Sequence, residues 1–434
     1  MSPLHFADRR SFLRGAGAVL AASCAAQPVA AQDSAPITVG VIGTGGRGCD
    51  LIRSLSTIEG VRIVGVCDDY GPHLERGWQY AGPQARSFSD YRKLLDETKP
   101  QAVAIAVPLF LHFEMASAAL KAGCAVFCEK TLAYDLDQAR GLVRLVEEKR
   151  AVFQVGLQRR SNAIYQQAVA MVQTGLLGRI TAVECQWHRH NDWRRPVPVA
   201  AEHEDFTRLD HKLNWRLYRP FSRGLLAELA SHQLDVVQWM LGVPPKRVLA
   251  TGGVDYWRDG RDVADNVFCI YEYEVTPPPE RPNAPPLPPG VDNRPYQVRV
   301  TWSSLQNNAY EGASELILGT KGTLFLSQNK GLLYREAAAD DIAWSKAADR
   351  NAAVVTSGKT LKLSSDPWAR RGTPFEIDAA GDDTRDELVS FIEHVRSNDP
   401  ATVCTVRDGL INTATVLMAH EAMDRGTPQT FPDL

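Results

Sequence analysis

The sequence predicts an α/β domain with a parallel sheet, followed by an α+β domain with a largely antiparallel open sheet. Three observations predict it. Between Ile37 and Val155, apolar strand-like runs alternate with helix-period runs. The first of those runs, ITVGVIG, ends in a glycine-rich turn that opens a helix. After Gly156, long strand-like runs follow one another with no helix between them. Alternation of strand and helix builds a parallel sheet covered on both faces, whereas successive strands pair antiparallel.

The first domain is read over residues 37–157. ITVGVIG precedes helical CDLIRSLSTI, and VRIVGVCDD is a second strand that ends in acids. Helical YRKLLDETK, the strand AVAIAVP, helical HFEMASAALKAG and the strand AVFCEK follow. Helical DLDQARGLVRLVEEKR and the strand AVFQVG complete the alternation. The second domain is read over residues 158–434. It opens with the amphipathic helix YQQAVAMVQTG and the strand RITAVECQWH, and Leu225 to Leu241 is an apolar-periodic helix. The strands KRVLATGGVDYW, DNVFCIYEYEV, YQVRVTWSS and SELILGTKGTLFL come next, and helical ELVSFIEHVRS and DGLINTATVLMAHEAMDRG close the chain. A loop at 276–295 carries eight prolines among residues 277–289. Proline cannot donate to a ladder, so this is a surface connection.

Residues 1–31 are read as an export segment. Asp8-Arg9-Arg10-Ser11-Phe12-Leu13-Arg14 is a twin-arginine pattern, Ala16 to Ala26 is weakly apolar, and Val29-Ala30-Ala31 offers a small-residue cleavage site. Such a signal addresses a chain that folds before it crosses the membrane. The apolar stretch is too short and alanine-rich for a transmembrane helix, and no other stretch approaches a span. The expectation is a periplasmic or secreted protein without a membrane span in its mature form. Cys24, after Ala21-Ala22-Ser23, leaves a lipid anchor as the alternative.

The formal charge is −3. With no dense basic stripe, nucleic acid is a poor candidate partner. Cys67, Cys124, Cys128, Cys185 and Cys269 lie in or beside apolar runs and no Cys-x-x-Cys pair occurs. They read as buried thiols, with no metal site and no disulfide framework.

Chemistry concentrates at three places. Gly43, Gly45 and Gly48, with Gly46 and Arg47 between them, follow a strand and open a helix. The first glycine permits a tight turn, the second a close approach to a pyrophosphate, and the third close packing of helix on strand. The helix N-terminus adds free N–H groups. Asp68 ends the next strand twenty residues after Gly48, placed to accept from a ribose 2′-hydroxyl. Asp68 and Asp69 together repel a 2′-phosphate, so the expected cofactor is NAD. The second place is AVPLFLH (106–112) with CEKT (128–131), each at a strand's carboxyl end. Ligands bind at that edge, which directs Pro108, His112, Glu129, Lys130 and Gln158 toward the cofactor.

The third is GLLAELASHQLDVVQWMLG (224–242), where Glu228 and His232 are four apart and Asp235 three further on. On an α-helix these share a face, and the carboxylate can orient the imidazole and raise its basicity. Upstream, Trp215 and Arg216 offer an aromatic face and donors to a hydroxyl-rich ligand. His188 and His190 lie in a polar, aromatic stretch read as sugar-facing, and Tyr165 and Asp235 join the substrate-binding candidates.

The glycine fingerprint, the EK-T sequence, GLQRRSNAIYQQA (156–168) and the Glu-x-x-x-His-x-x-Asp helix together resemble the Gfo/Idh/MocA oxidoreductases, from about Ile37 onward. The resemblance implies a Rossmann domain paired with an open-sheet substrate domain, a sugar or cyclitol substrate, and catalytic roles for Lys130 and His232. Thr131 stands where the family usually has proline, and Glu228 where many members have aspartate. The expected reaction is dehydrogenation of a sugar, glycoside or cyclitol hydroxyl with tightly held NAD. In it His232 takes the proton, Lys130 stabilises the alkoxide and Glu228 orients His232. One alternative is glycoside hydrolysis through transient C3 oxidation, with Tyr165, His188 and His190 as candidate second bases. The other is a non-catalytic nucleotide or sugar sensor. An open sheet with one apolar face needs cover, so self-association is also expected.

Overall fold

In this computed structural model the described residues are 35–277, 290–327, 330–335, 373–374 and 381–434. Residues 1–31, read above as an export signal and including Cys24, and residues 278–289 of the proline-rich loop lie outside them.

The first sheet contains β1 (Ile37–Ile42), β2 (Val61–Cys67), β3 (Arg86–Phe88), β4 (Ala102–Ile105), β5 (Ala125–Glu129) and β6 (Phe153–Gly156). All are parallel, in the order β3-β2-β1-β4-β5-β6. This is the doubly wound Rossmann order, with its ligand crevice where the order reverses at β1 and β4. Val39, Val41, Ala102, Val103 and Ala104 are buried because helices cover both faces, and each fully buried Val or Leu contributes about 1.5–3 kcal/mol. The helix Gly71–Ala81 and the three-residue β3 did not stand out in the sequence pattern. Leu74, Trp78 and Ala81 of that helix pack against the first domain's core at helical spacing, but only Gly77 is fully buried, so the apolar stripe is short and half-exposed.

The second sheet has nine strands in the order β14-β13-β12-β11-β7-β10-β9-β8-β15. They are β7 (Ile180–His190), β8 (Arg247–Gly253), β9 (Asn266–Val275), β10 (Tyr296–Leu305), β11 (Asn307–Gly319), β12 (Gly322–Ser327), β13 (Lys330–Arg335), β14 (Thr373–Pro374) and β15 (Gln429–Thr430). β7 and β10 pair parallel; the other pairs are antiparallel. On its inner face Val183, Cys185, Tyr271, Val300 and Trp302 pack with helices Ala163–Gln173, Ser231–Leu241 and Val406–Arg425. The outer face leaves Leu249, Phe268 and Ile270 at 38%, 46% and 45% exposure, and Leu249 and Ile270 are cross-strand partners.

The C-terminal helices do not stay with the second sheet. Leu388, Phe391 and Ile392 of helix Asp383–Ser397 pack into the first domain's core beside Val39, Val41 and Phe127. Helix Val406–Arg425 starts in the first domain's core at Val406 and Leu410 and ends in the second at Met418 and Ala422. Its start is fixed by a reciprocal pair: Thr405 caps Asp408 N–H while the Asp408 carboxylate accepts from Thr405 N–H, an arrangement that satisfies two otherwise orphaned donors. Among the described residues seven cysteines are free thiols, all buried.

Candidate active site

A cavity of about 630 Å³ runs along the carboxyl edge of the parallel sheet, from Asp68 and Asp69 at one end to Glu228 and His232 at the other. Both domains line it.

The glycine turn builds the first end. Gly43 has φ +88°, and a Cβ there would stand 2.4 Å from the Ala106 carbonyl oxygen. A Cβ on Gly48 would meet the Gly43 oxygen at 1.9 Å, so helix and strand touch backbone to backbone. At Gly45 and Gly46 the nearest atoms to such a Cβ are 3.9 Å away, on His73 and Arg195. Bare backbone therefore faces the cavity at the start of helix Gly46–Leu55, which has no side-chain cap and no acid in its first turn. Uncapped N–H groups at a helix start form an anion site, and this cradle fits a dinucleotide pyrophosphate. Beside it, Asp68 accepts from the N–H groups of Thr44 at 2.8 Å and Tyr70 at 2.9 Å. These bonds fix the carboxylate at the end of β2, where a ribose would lie. Asp69 pairs with Lys212 at 2.6 Å.

Arg47 lines the same cavity, but its guanidinium is engaged by protein groups. Its guanidinium turns to Glu129 (2.6 Å), Glu387 (2.7 Å) and Thr384 (2.7 Å) and so ties the glycine turn to helix Asp383–Ser397. Burial opposes its charge, but Glu129 and Glu387 outweigh burial and raise its pKa. Pro108, His112, Glu129, Lys130 and Gln158 all line the cavity. The His112 ring nitrogens lie 2.9 and 3.0 Å from the carbonyl oxygens of Thr131 and Val107. Burial pushes His112 toward the neutral ring, so it donates to one of the two.

At the other end, Lys130 leaves β5 and its Nζ donates to the Glu228 carbonyl oxygen at 3.0 Å. Burial lowers the Lys130 pKa, against the pull of Glu228 and Glu129. Thr131 is itself tied into this turn. Its hydroxyl donates to the Ala227 oxygen at 3.0 Å, and its own oxygen faces His112. Leu226–Ala230 winds as a π-helical turn before helix Ser231–Leu241 begins. Such single turns change the angular offset along a helix and are frequent at functional sites. Glu228 and His232 consequently do not pair as an ideal α-helix would have them. The Glu228 carboxylate accepts from Arg216 Nε at 2.7 Å, and the Arg216 guanidinium lies 4.2 Å from the Trp215 ring centroid. Burial raises the Glu228 pKa, but Arg216 and Lys130 overcome it and bring it down. His232 is held well below its ordinary pKa, first by burial and then by Lys130, Arg159, Arg47 and Arg189. Its ring stands 5.6 Å from that of Trp187, and among the described residues nothing forms a hydrogen bond with its nitrogens.

Four expected substrate residues lie elsewhere. Tyr165 is buried and donates to Glu315 at 2.8 Å, in a core network with Arg159. Asp235 is buried in a two-pronged pair with Arg160 at 2.8 and 2.9 Å. His188 and His190 lie on β7, where side chains alternate between faces. Cys185 and Trp187 take the inner face, so the two histidines take the outer one. There His188 meets Ser303 Oγ at 3.1 Å and His190 packs edge-on to Trp257. Trp215 and Arg216 do line the cavity. So do Arg195 and Lys212, which the sequence reading missed. Residues 191–200 form no regular element, so no period marks Arg195.

These features define a dinucleotide cleft closed by a second domain, with an amine and an imidazole at its far end. Residues 37–157 match the model of the oxidoreductase family with an NAD-binding Rossmann fold, and residues 165–276 match the GFO/IDH/MocA C-terminal domain. The chain belongs to the Gfo/Idh/MocA oxidoreductase family, and its first domain is an NAD-binding Rossmann domain. It is 27% identical to an inositol 2-dehydrogenase/D-chiro-inositol 3-dehydrogenase of Lactiplantibacillus plantarum, over 47% of this chain and 52% of that protein. It is 30% identical to a 2,7-anhydro-N-acetylneuraminate hydratase of Mediterraneibacter gnavus, over 50% of this chain and 53% of that one. The chain spans about half the length of the curated relatives it matches. In fold it resembles levoglucosan dehydrogenase in complex with NADH and levoglucosan, with a TM-score of 0.67 at 18% identity, over 92% of this chain and 100% of that one.

Proposed function

We propose that this protein is an NAD-dependent oxidoreductase acting on a hydroxyl of a sugar, glycoside or cyclitol, with a tightly held cofactor. One observation carries the reading. Lys130 and a His232 ring without a hydrogen bond to any described residue stand together at the end of a cleft whose other end fits a dinucleotide. Relatives described as inositol dehydrogenases and a levoglucosan dehydrogenase support a polyol or sugar substrate.

NAD, when bound, supplies the hydride acceptor. Neutral His232 takes the substrate's hydroxyl proton on a ring nitrogen. Lys130, anchored by one hydrogen to the Glu228 oxygen, keeps others for the developing alkoxide. Arg216 and Trp215 form the neighbouring wall, and Glu228 fixes Arg216 rather than His232. A positioned base contributes typically about 10²–10⁴-fold. Redox-neutral glycoside cleavage would need a second base, and Tyr165, His188 and His190 all lie away from the cleft.

We infer two further properties. The twin-arginine pattern at residues 8–14 supports export of the folded holoprotein; Arg9→Lys with Arg10→Lys should hold it in the cytoplasm on fractionation. The uncovered Leu249, Phe268 and Ile270 support pairing of two copies through the open sheet; Phe268→Asp should then halve the solution mass.

The catalytic reading is tested by incubating as-purified protein with inositols, anhydrosugars and glycosides and weighing the products. A product lighter by two hydrogens is expected. Absence of any product across the panel, with nucleotide bound, would overturn it.

A further inference from the structure

The second domain sends a cation over the glycine turn. Arg195 Nη2 lies 3.9 Å from where a Cβ on Gly46 would be, above the first residue of helix Gly46–Leu55. That helix end is itself positive, through its uncapped N–H groups and its dipole. Among the described residues no carboxylate pairs with the Arg195 guanidinium. Burial, followed by its like-charged neighbours Arg216 and Arg76, pushes its pKa down. Two positive groups facing each other in a cleft are stable together when an anion lies between them.

The position of Arg195 is built rather than incidental. Its N–H donates to Asn214 Oδ1 at 2.6 Å, and Asn214 Nδ2 donates back to the Arg195 oxygen at 3.0 Å. Asn214 is held by Asp210 at 2.6 Å. Arg194, the preceding residue, is clamped by Asp210 at 2.9 Å and Asp259 at 3.0 Å. The same segment touches the first domain again: Lys212, on helix Phe206–Leu213, pairs with Asp69 at 2.6 Å. That pair neutralises Asp69 and leaves Asp68 beside the cradle.

We propose that Arg195 completes the dinucleotide site from the second domain, gripping the pyrophosphate against the glycine turn, and that Lys212–Asp69 is a weaker strap beside it. The nucleotide is then held from both sides, and its release requires residues 194–214 to lift. A guanidinium matches two phosphate oxygens at once, which an ammonium cannot do. This inference rests on NAD occupying the cleft and deepens the tight-cofactor part of the proposed function. It is independent of which sugar, if any, is oxidised.

The test measures release of NADH from full-length protein, by fluorescence after mixing with excess NAD. Arg195→Met should speed release about 10- to 100-fold, the range for losing hydrogen bonds to a charged group. Arg195→Lys should fall between Arg195→Met and the parent. Lys212→Ala should change release by less than about fivefold, since a partly exposed ion pair is worth little. ADP-ribose, which carries the pyrophosphate, should lose affinity in step, whereas adenosine should not. Because Arg195 meets Asn214 through its main chain, truncating the side chain should leave the nucleotide-free melting temperature unchanged. If Arg195→Met does not fold, Arg195→Gln is read in its place. Release within about twofold of the parent, or equal losses for ADP-ribose and adenosine, would overturn the proposal. Since only the nucleotide is read, an absent sugar substrate cannot mimic either result.

Discussion

The two ends of the cleft are built by opposite means. The core of the dinucleotide end is nearly continuous sequence, β1, a glycine turn, a helix start and the acid after β2, to which the second domain adds Arg195. Its geometry is backbone geometry, and the contacts at Gly43 and Gly48 leave no room for another residue. The reacting end is assembled from distant pieces, Lys130 from β5, Arg216 from a connecting segment and His232 after a π-helical turn. Its geometry depends on how those pieces pack. A local motif declares its own purpose, whereas an assembled site is fixed by partners that spacing does not reveal.

Asp235 breaks or sharpens this contrast with the largest expected effect. Its carboxylate is buried against Arg160, so Arg160→Met leaves an uncompensated charge and should cost about 3–5 kcal/mol in urea unfolding. Full stability in that variant would return Asp235 to the list of substrate residues.

At the reacting end, Lys130→Met and His232→Ala should each lower turnover at least about 100-fold, with NAD content and melting temperature retained. Asp68→Ala should do the reverse, loosening the nucleotide while a saturating supply preserves turnover. A His232→Ala protein that melts early and loses its NAD would make His232 a structural residue.

This contrast also explains what the sequence could and could not reveal. The alternation from Ile37 to Val155 was legible, as were the glycine turn, Asp68 and the position of Lys130, because each is a short-range pattern with one backbone solution. His188 and His190 were misread because two-residue alternation along β7 says which residues share a face, not which face the helices cover. Glu228 meets Arg216 rather than His232 because a π-helical turn, which residue spacing does not reveal, interrupts the α-helical period. Arg195 was invisible because its role comes from crossing between domains.

A smaller effect concerns pH. His112, His232 and His420 are pushed toward neutrality chiefly by burial, His420 to about 4. Their folded pKa values lie below the unfolded value near 6.5, so below that pH the unfolded chain binds more protons. Their contribution to stability is therefore complete above pH ~6.5 and falls on acidification, by up to about 1.4 kcal/mol per pH unit for each histidine, with the raised carboxyls of Glu387, Asp235 and Asp383 acting in the opposite sense. Urea midpoints measured from neutral to acid pH should fall less steeply in His420→Asn than in the parent, and equal slopes would mean that His420 is not buried as a neutral base.

The smallest expected effect belongs to the outer face of β7. His188→Ala and His190→Ala should alter turnover less than about twofold and stability by no more than about 0.5 kcal/mol. A large loss of turnover in either would bring that face into the reaction.

The most direct measurement is a single turnover. Holoprotein carrying its own NAD is mixed with the best substrate from the panel, and the absorbance of reduced nicotinamide is followed in the parent and in His232→Ala. The parent should reduce its bound nucleotide, whereas His232→Ala, with the same NAD content, should do so at least about 100-fold more slowly. Equal rates in the two proteins would contradict this.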